Sequence, residues 1–306
     1  MESIYYPSSD GKTTIHALIW RPQGEVLGVL QIIHGMAEYA ERYAPFANEL
    51  TKRGFAVVAE DHLGHGQSVI SPDYLGYFTE ENAWQTVLED VRALTVKAKE
   101  LFPNKPYFLM GHSMGSFFCR KYITLYGEEL SGAIIMGTGQ MPSLILNAAL
   151  FLTKSQAKKY GWRYRSKFID NLAFGSYNKK IKNKRTPFDW LSVNPENVDK
   201  YLADDLCGVT FTLSGFEGLF GIIKQACAKQ AAQAVPKNLP VYFVAGSEDP
   251  VGDYSKGVIK AYQSFVEAGV NDVELTLYNN SRHEILNDYC APQVVSDILE
   301  FVGKRV

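Results

Sequence analysis

The sequence predicts an α/β protein with a mostly parallel sheet flanked by helices. Short apolar segments bounded by turn residues alternate with longer helical segments, and this alternation is interrupted once, over residues 141–235. The length of 306 residues suits one large domain that carries an insertion. We therefore expect a core of residues 1–140 and 236–306, with an eight-stranded sheet, and a helical cap of residues 141–235 inserted after the sixth strand.

The individual elements follow from the same pattern. Eight apolar segments are predicted as strands, the first two antiparallel: residues 4–6, 13–20, 26–33, 56–60, 107–110, 132–136, 240–246 and 273–277. Helices are predicted between or after them, at residues 42–52, 84–101, 113–126, 254–267 and 292–302. The cap shows no strand–helix alternation and many aromatic residues, so we expect it to be helical or irregular.

Composition excludes several classes of protein. With 46% hydrophobic and 21% charged residues, the chain is neither disordered, collagen-like nor a coiled coil. A net charge of −2 argues against a nucleic-acid partner. The four cysteines form no Cys-x-x-Cys pair, and the first residues do not read as a secretory signal. We therefore expect reduced thiols and a cytoplasmic protein, with no metal site and no predicted oligomeric state.

A candidate nucleophile lies in the segment Gly111-His112-Ser113-Met114-Gly115. This Gly-x-Ser-x-Gly motif ends a predicted strand and begins a predicted helix, which is the context of a nucleophile elbow. A serine at such a turn projects its hydroxyl clear of the sheet, and the glycines relieve crowding of the backbone. The alternative is a tight turn with a buried serine.

The order nucleophile, acid, base selects the partners of Ser113. His283 is the only histidine that follows Ser113, and it lies in a polar loop between a strand and a helix. Asp249 follows a predicted strand directly and precedes Pro250, so we assign it the role of orienting the imidazole. Glu248 and Asp253 remain alternatives for the acid, and a surface imidazole remains the alternative for His283.

Two backbone amides are predicted to form an oxyanion hole. One belongs to Met114, the residue after the candidate nucleophile, and the other to Met36 in the loop after the third strand. Gly35 allows a substrate carbonyl to approach that loop closely.

Several motifs together resemble the monoacylglycerol lipase/lysophospholipase family of serine α/β-hydrolases. They are His34-Gly35-x-x-Glu38, the segment Asp-His-Leu-Gly-His-Gly-Gln-Ser at residues 61–68, the Gly-His-Ser-Met-Gly elbow, Ser247-x-Asp249 and the late His283. The resemblance implies the α/β-hydrolase fold and an esterase or lipase without a cofactor, acting on monoacylglycerols, lysophospholipids or other small acyl esters. It implies the same triad of Ser113, Asp249 and His283 and the same oxyanion amides.

The chain also departs from the family. Tyr39 stands where the family commonly has a histidine, and the cap is longer than the short lid of the animal lipases. An acyltransferase, a thioesterase or a peptidase would use the same triad. A binding protein without catalytic activity is a further alternative from another class.

The cap sequence predicts contacts with acyl chains and with lipid. Residues 141–153 and 211–223 are strongly apolar, and we expect them to line an acyl tunnel in which Leu150 and Phe216 contact substrate. Packing of the cap onto the core would explain the same pattern. Residues 154–185 hold eleven Lys or Arg and one acid, Asp170, which predicts peripheral contact with anionic lipid. An ordinary solvated surface is the alternative.

Overall fold

An eight-stranded, mostly parallel sheet forms the centre of the computed structural model, which describes residues 1–306. The strand order is β1-β2-β4-β3-β5-β6-β7-β8. The strands are β1 Glu2–Pro7, β2 Thr14–Trp20, β3 Gly28–Ile33, β4 Phe55–Glu60, β5 Tyr107–His112, β6 Gly132–Met136, β7 Val241–Gly246 and β8 Val273–Tyr278. β2 pairs antiparallel with β1 and with β4, and all other pairs are parallel.

The structure contains nine α-helices. They are α1 Ala44–Thr51, α2 Ala83–Leu101, α3 Met114–Tyr126, α4 Ser143–Tyr160, α5 Lys167–Phe174, α6 Pro195–Ala203, α7 Leu213–Ala226, α8 Lys256–Glu267 and α9 Ala291–Gly303. None of these helices is long and apolar enough to cross a membrane.

Both faces of the sheet are covered, as a parallel sheet requires. Along β4 the side chains of Ala56 and Val58 join the apolar cluster beneath α2, α3 and α8, while that of Val57 joins the cluster beneath α1 and α9. β3 to β7 are therefore buried along their whole length and mostly apolar rather than alternating, which explains why the sequence shows them as apolar runs. The α/β-hydrolase fold predicted from the sequence is confirmed.

The segment between β6 and β7 contains α4 to α7, but these helices differ in their surroundings. α7 packs directly on α2 and α3, and it does so through small residues: a Cβ atom at Gly221 would lie 2.6 Å from the Trp84 ring. α4, in contrast, exposes Leu144 and Phe151 to solvent. The division into a core and a cap at residues 141–235 stays a prediction.

Arg120 of α3 joins the two places where the chain passes between the sheet and the inserted segment. Its guanidinium donates hydrogen bonds of 2.8 Å to the Gly139 carbonyl and the Gln140 side chain, which follow β6. It also donates one of 2.8 Å to the Ala226 carbonyl at the end of α7. Burial lowers the pKa of Arg120, and its acceptors are oxygens of carbonyl, amide and hydroxyl groups rather than carboxylates.

The sheet also positions the predicted site. β3, β5, β7 and β8 are parallel, so the loops that follow them meet at one edge of the sheet. Those four loops carry Met36, Ser113, Asp249 and His283, respectively.

Candidate active site

Ser113 occupies a sharp turn between β5 and α3. Its backbone has φ 55° and ψ −120°, a conformation that residues with side chains rarely adopt. The flanking glycines are required by close contacts, because a Cβ atom at Gly111 would lie 2.1 Å from the Gly115 carbonyl oxygen and one at Gly115 would lie 1.9 Å from that of Ile33. The predicted elbow geometry is present.

Asp249 and His283 form a buried hydrogen-bonded pair. His283 Nδ1 lies 2.8 Å from Asp249 Oδ2, and both side chains are almost fully buried. The other carboxylate oxygen of Asp249 accepts a bond of 2.8 Å from the Val251 amide, so the carboxylate is fixed at both oxygens. Glu248 and Asp253 make no contact of this kind with His283: Glu248 is half-exposed near Arg282, and Asp253 is exposed.

The second ring nitrogen of His283 is free to act on a ligand. His283 Nε2 is buried and has no hydrogen-bond partner. A buried polar atom without a partner is costly and is commonly found where chemistry occurs. Since Nδ1 is engaged by Asp249, Nε2 is the nitrogen available to accept a proton.

The loop after β3 lies against Ser113. A Cβ atom at Gly35 would come within 3.1 Å of Ser113 Cβ and 2.5 Å of Glu38 Oε1. The amides of Met36 and Met114 donate no hydrogen bond within the chain, and Met114 is the first residue of α3, where an amide has no intrahelical acceptor. Both residues line the same cavity as Ser113.

This cavity has a volume of about 340 Å³ and lies between the sheet edge and the inserted helices. Its core-side wall includes Gly35, Met36, Ser113, Met114 and His283. Its cap-side wall includes Phe174, Tyr177, Trp190, Leu191, Leu219 and Ile223. An apolar cavity with a few convergent polar groups is typical of a small-molecule site.

A short turn of the inserted segment, Asp189–Leu191, is bound to the loop of His283. The Glu284 amide donates to the Leu191 carbonyl at 2.7 Å, and Arg282 donates to the Asp189 carbonyl at 2.7 Å. The Trp190 ring lies 5.2 Å from the His283 ring. This part of the inserted segment therefore shapes the surroundings of His283 directly.

Comparison with known proteins agrees with this geometry. Residues 24–289 match the profile of a protein family described as serine aminopeptidase, S33. The chain belongs to this family. Rattus norvegicus monoglyceride lipase is 26% identical over 288 residues, which cover 94% of this chain and 84% of the lipase.

Two further relatives extend the comparison. Monoacylglycerol lipase of Mycolicibacterium smegmatis is 27% identical over 293 residues, covering 93% of this chain and 91% of that lipase. A thermostable carboxyl esterase from Bacillus coagulans, solved with glycerol, superposes with a TM-score of 0.93 at 29% identity, covering 99% and 98% of the two chains. The predicted relation to monoacylglycerol lipases and lysophospholipases is confirmed, and this S33 family member is a serine hydrolase of the α/β-hydrolase fold.

Leu150 and Phe216, the residues predicted to contact substrate, do not line the cavity of this S33 protein. Phe216 is fully buried among Phe174, Phe211 and Phe220, one layer behind the cap-side wall. Leu150 packs on the main apolar cluster. The apolar sequence correctly predicted that Phe216 is buried. It did not indicate whether the residue faces the cavity or packs against other side chains.

Several residues that build the site were not predicted from the sequence. Tyr39, which departs from the family pattern, donates a hydrogen bond of 2.8 Å to Asp204, in the segment after α6. Arg42 pairs with Glu284 although 242 positions separate them. Two residues that pair across such a distance leave no local signal in a single sequence. The aromatic residues of the cap-side wall were noted in the sequence only as an aromatic-rich segment, which does not indicate which of them face the cavity.

Proposed function

We propose that the protein hydrolyses monoacylglycerols, lysophospholipids or other small acyl esters through an acyl-enzyme on Ser113. The observation that carries the proposal is the free Nε2 of His283, which lies buried on the same cavity as Ser113 while Asp249 holds Nδ1. The names of the similar lipases and of the esterase support esters as the substrate class.

The geometry suits a two-step mechanism. His283 Nε2 takes the proton of the Ser113 hydroxyl as Oγ attacks the ester carbonyl, and the amides of Met36 and Met114 donate to the oxygen as it becomes negative. The imidazolium is stabilised by Asp249, which keeps its own charge. The proton then passes to the leaving alcohol, the acyl–oxygen bond of the ester breaks, and water repeats the sequence to release the acid.

Labelling with a fluorophosphonate probe tests the assignment of the nucleophile. We expect wild-type protein to label and Ser113→Ala to lose labelling completely, while Ser143→Ala, an exposed serine at the start of α4, labels like wild type. Turnover of p-nitrophenyl esters from two to sixteen carbons then ranks the acyl length. Folded wild-type protein that fails to label would overturn the triad, and labelling without ester turnover would reject esters as substrates.

A second candidate, hydrolysis of substrates with a free amino group, is favoured by one cavity residue and by the family description. Glu38, Asp170 and Glu284 are the carboxylates on the cavity, and Arg42 pairs with Glu38 and Glu284, which leaves Asp170 without a cation. Faster cleavage of aminoacyl p-nitroanilides than of esters, lost in Asp170→Asn, would favour this candidate. We expect esters to be preferred.

We further propose that the outer surface of α4 and α5 contacts anionic lipid. Leu144 and Phe151 on α4 are 79% and 71% exposed, and Phe168 and Leu172 on α5 are also exposed. Lys154, Lys158, Lys159 and Lys167 on these two helices are exposed as well. Exposed apolar side chains beside cations are typical of interfacial helices. α5 also contributes Phe174 to the cap-side wall, so the contact would lie beside the cavity.

Vesicle sedimentation tests the lipid contact. We expect binding to increase with the fraction of phosphatidylglycerol in phosphatidylcholine vesicles, and to fall several-fold in the double variant Leu144→Ser, Phe151→Ser. Leu125→Ser, an exposed leucine on α3, is the control and should bind like wild type. Binding that is indifferent to the anionic fraction would reject the proposal.

A further inference from the structure

Arg42 lies between two buried carboxylates that belong to different loops of the site. Its Nη1 is 2.8 Å from Glu38 Oε2, and its Nη1 and Nη2 are 2.8 and 2.9 Å from the two oxygens of Glu284. Burial raises the pKa of Glu284, but the charge and hydrogen bonds of Arg42 outweigh it and lower that pKa. For Glu38, burial is likewise outweighed by His112 and Arg42, so both carboxylates are ionised.

Each carboxylate lies next to a group that the proposed mechanism uses, either the Met36 amide or the His283 ring. Glu38 accepts a hydrogen bond of 2.6 Å from the Gly35 amide, which immediately precedes Met36. Glu284 directly follows His283, and Asn197 of α6 donates to its Oε2 at 2.6 Å. Arg42 therefore connects the loop of the oxyanion amide to the loop of the base. Glu38 and Glu284 line the cavity, whereas Arg42 itself does not.

His112 adds a third connection, next to Ser113 in the chain. Its Nδ1 is 3.1 Å from Glu38 Oε1, and its Nε2 is 3.3 Å from the His283 carbonyl oxygen. The Tyr43 hydroxyl also lies 2.9 Å from His112 Nδ1, and because it donates its proton to Glu38 Oε1 at 2.9 Å it can accept from Nδ1. The partners of His112 can therefore all accept, and an imidazole that carries a proton on each nitrogen satisfies them. Burial lowers the pKa of His112, yet the hydrogen bond from His112 to Glu38 and the charge of Glu38 raise this pKa overall.

We propose that Arg42, Glu38, Glu284 and His112 form a positioning cluster that holds the Met36 amide and the His283 ring in fixed places on either side of Ser113. The proposal rests on the function proposed above. The cluster acts through Met36 and His283, whose interactions are strongest in the transition state. Disturbing it therefore lowers kcat and leaves KM nearly unchanged. A purely structural role would instead appear as lost stability with kcat retained.

Arg42→Lys is the decisive variant, because lysine keeps the charge but lacks the planar fork that reaches both carboxylates. Arg92→Lys is the matched control: Arg92 also binds a carboxylate through both nitrogens, with 2.9 and 2.8 Å to Glu129, and lies away from the cavity. We expect Arg42→Lys to lower kcat for p-nitrophenyl esters and the rate of fluorophosphonate labelling by about tenfold to a hundredfold, with KM within about twofold. Arg92→Lys should retain both rates.

The outcomes separate the two proposals. If Arg42→Lys retains kcat and the labelling rate as Arg92→Lys does, the positioning cluster is overturned and the proposed function stands. If wild-type protein labels but turns over no ester, the proposed substrate class fails, and the labelling rates still test the cluster. If wild-type protein does not label, both are overturned. Thermal unfolding of each variant identifies any loss that comes from instability, and Glu284→Gln, which preserves side-chain shape, is a second variant with the same expectation.

Discussion

The core-side wall and the cap-side wall enclose the same cavity but are held in place by different interactions. The core-side wall depends on hydrogen bonds between buried charged and polar groups, such as those from His283 to Asp249 and from Gly35 to Glu38. The cap-side wall depends on aromatic contacts, such as Tyr177 with Trp190, whose ring centroids are 4.9 Å apart. Hydrogen bonds are directional, whereas apolar contacts are not. We infer that the first wall fixes the chemistry and the second fixes the shape of the substrate.

The largest expected effect belongs to the core-side wall. Asp249→Asn keeps the size of the side chain but no longer selects the tautomer of His283, so kcat should fall by about 10⁴-fold with little change in KM. Glu248→Gln is the control, since Glu248 is half-exposed and makes no hydrogen bond with His283. Steady-state kinetics on one ester check both variants, and an equal loss in the two would mean that the acid is assigned wrongly.

Gly35→Ala tests whether the position of the oxyanion loop matters as much as its hydrogen bonds. The added Cβ atom would lie 2.5 Å from Glu38 Oε1 and 3.1 Å from Ser113 Cβ, so either the loop or the Glu38 carboxylate that accepts from the Gly35 amide must shift. We expect kcat to fall by about a hundredfold, as for a displacement of about 1 Å. Gly24→Ala, where a Cβ atom would have no neighbour within 4 Å, should behave like wild type. Unchanged kcat in Gly35→Ala would remove the loop from the mechanism.

Leu219→Trp tests the cap-side wall. A larger side chain on α7 fills part of the cavity, so turnover of long acyl esters should fall about tenfold more than turnover of short ones. Leu150→Trp is the comparison, because Leu150 does not line the cavity. Kinetics over a series of acyl lengths measure the change. The assignment of the wall fails if both variants give the same profile, or if the wild-type profile persists in Leu219→Trp.

The smallest expected effect is on the pH dependence of stability. It comes from Glu60, a buried carboxylate that has no arginine beside it. Glu60 accepts from Tyr6 and lies 3.2 Å from His62 Nδ1, and burial raises its pKa from 4.5 to about 8. The folded protein then holds a proton that the unfolded chain releases, so the contribution of Glu60 to the free energy of unfolding should decrease as the pH rises from about 5 to about 8. Burial lowers the pKa values of His34, His62 and His65, so these groups give the opposite slope below their ordinary pKa of 6.5, and the contribution of Glu60 is read from the difference between wild type and variant.

Glu60→Gln cannot lose this proton, so the decrease should be smaller in this variant. Burial also raises the pKa of Asp90, to about 7, so Asp90 should still cause part of this decrease in the variant. Urea unfolding at several pH values measures the slope, with the exposed Glu25→Gln as the control. A slope in Glu60→Gln as steep as in wild type would contradict the prediction. Glu60 differs from Glu38 and Glu284 in having no arginine beside it, and its pKa is raised where theirs are lowered.

The core-side wall was predictable from the sequence because its residues lie in short motifs at strand ends. The turn at Gly111 to Gly115 depends on steric contacts within the motif itself. The parallel strands bring Asp249 and His283 to the same edge of the sheet, whatever sequence lies between them. Helix bounds were less certain: α1 begins at Ala44 rather than residue 42, because residues 40–43 form a 3₁₀ turn.

The cap-side wall was not predictable, for a physical reason. Apolar periodicity reports that a residue is buried but not which surface buries it, so Phe216 was assigned to the cavity although Leu219, three residues later on the same helix, lines it. The positioning cluster was hidden because Arg42 and Glu284 meet only through the tertiary fold.

Arg120 has a consequence for how this protein can vary. β6 and β7 are paired neighbours in the sheet, with Ala133 opposite Val241, and one guanidinium binds the chain both after β6 and at the end of α7. The inserted segment is thus a loop closed at its base. The entropy of closing such a loop grows only slowly with length. Related chains can accordingly gain or lose whole helices between β6 and β7 while the strands keep their register and the catalytic residues keep their positions. Substrate preference can therefore change without a change in the chemistry.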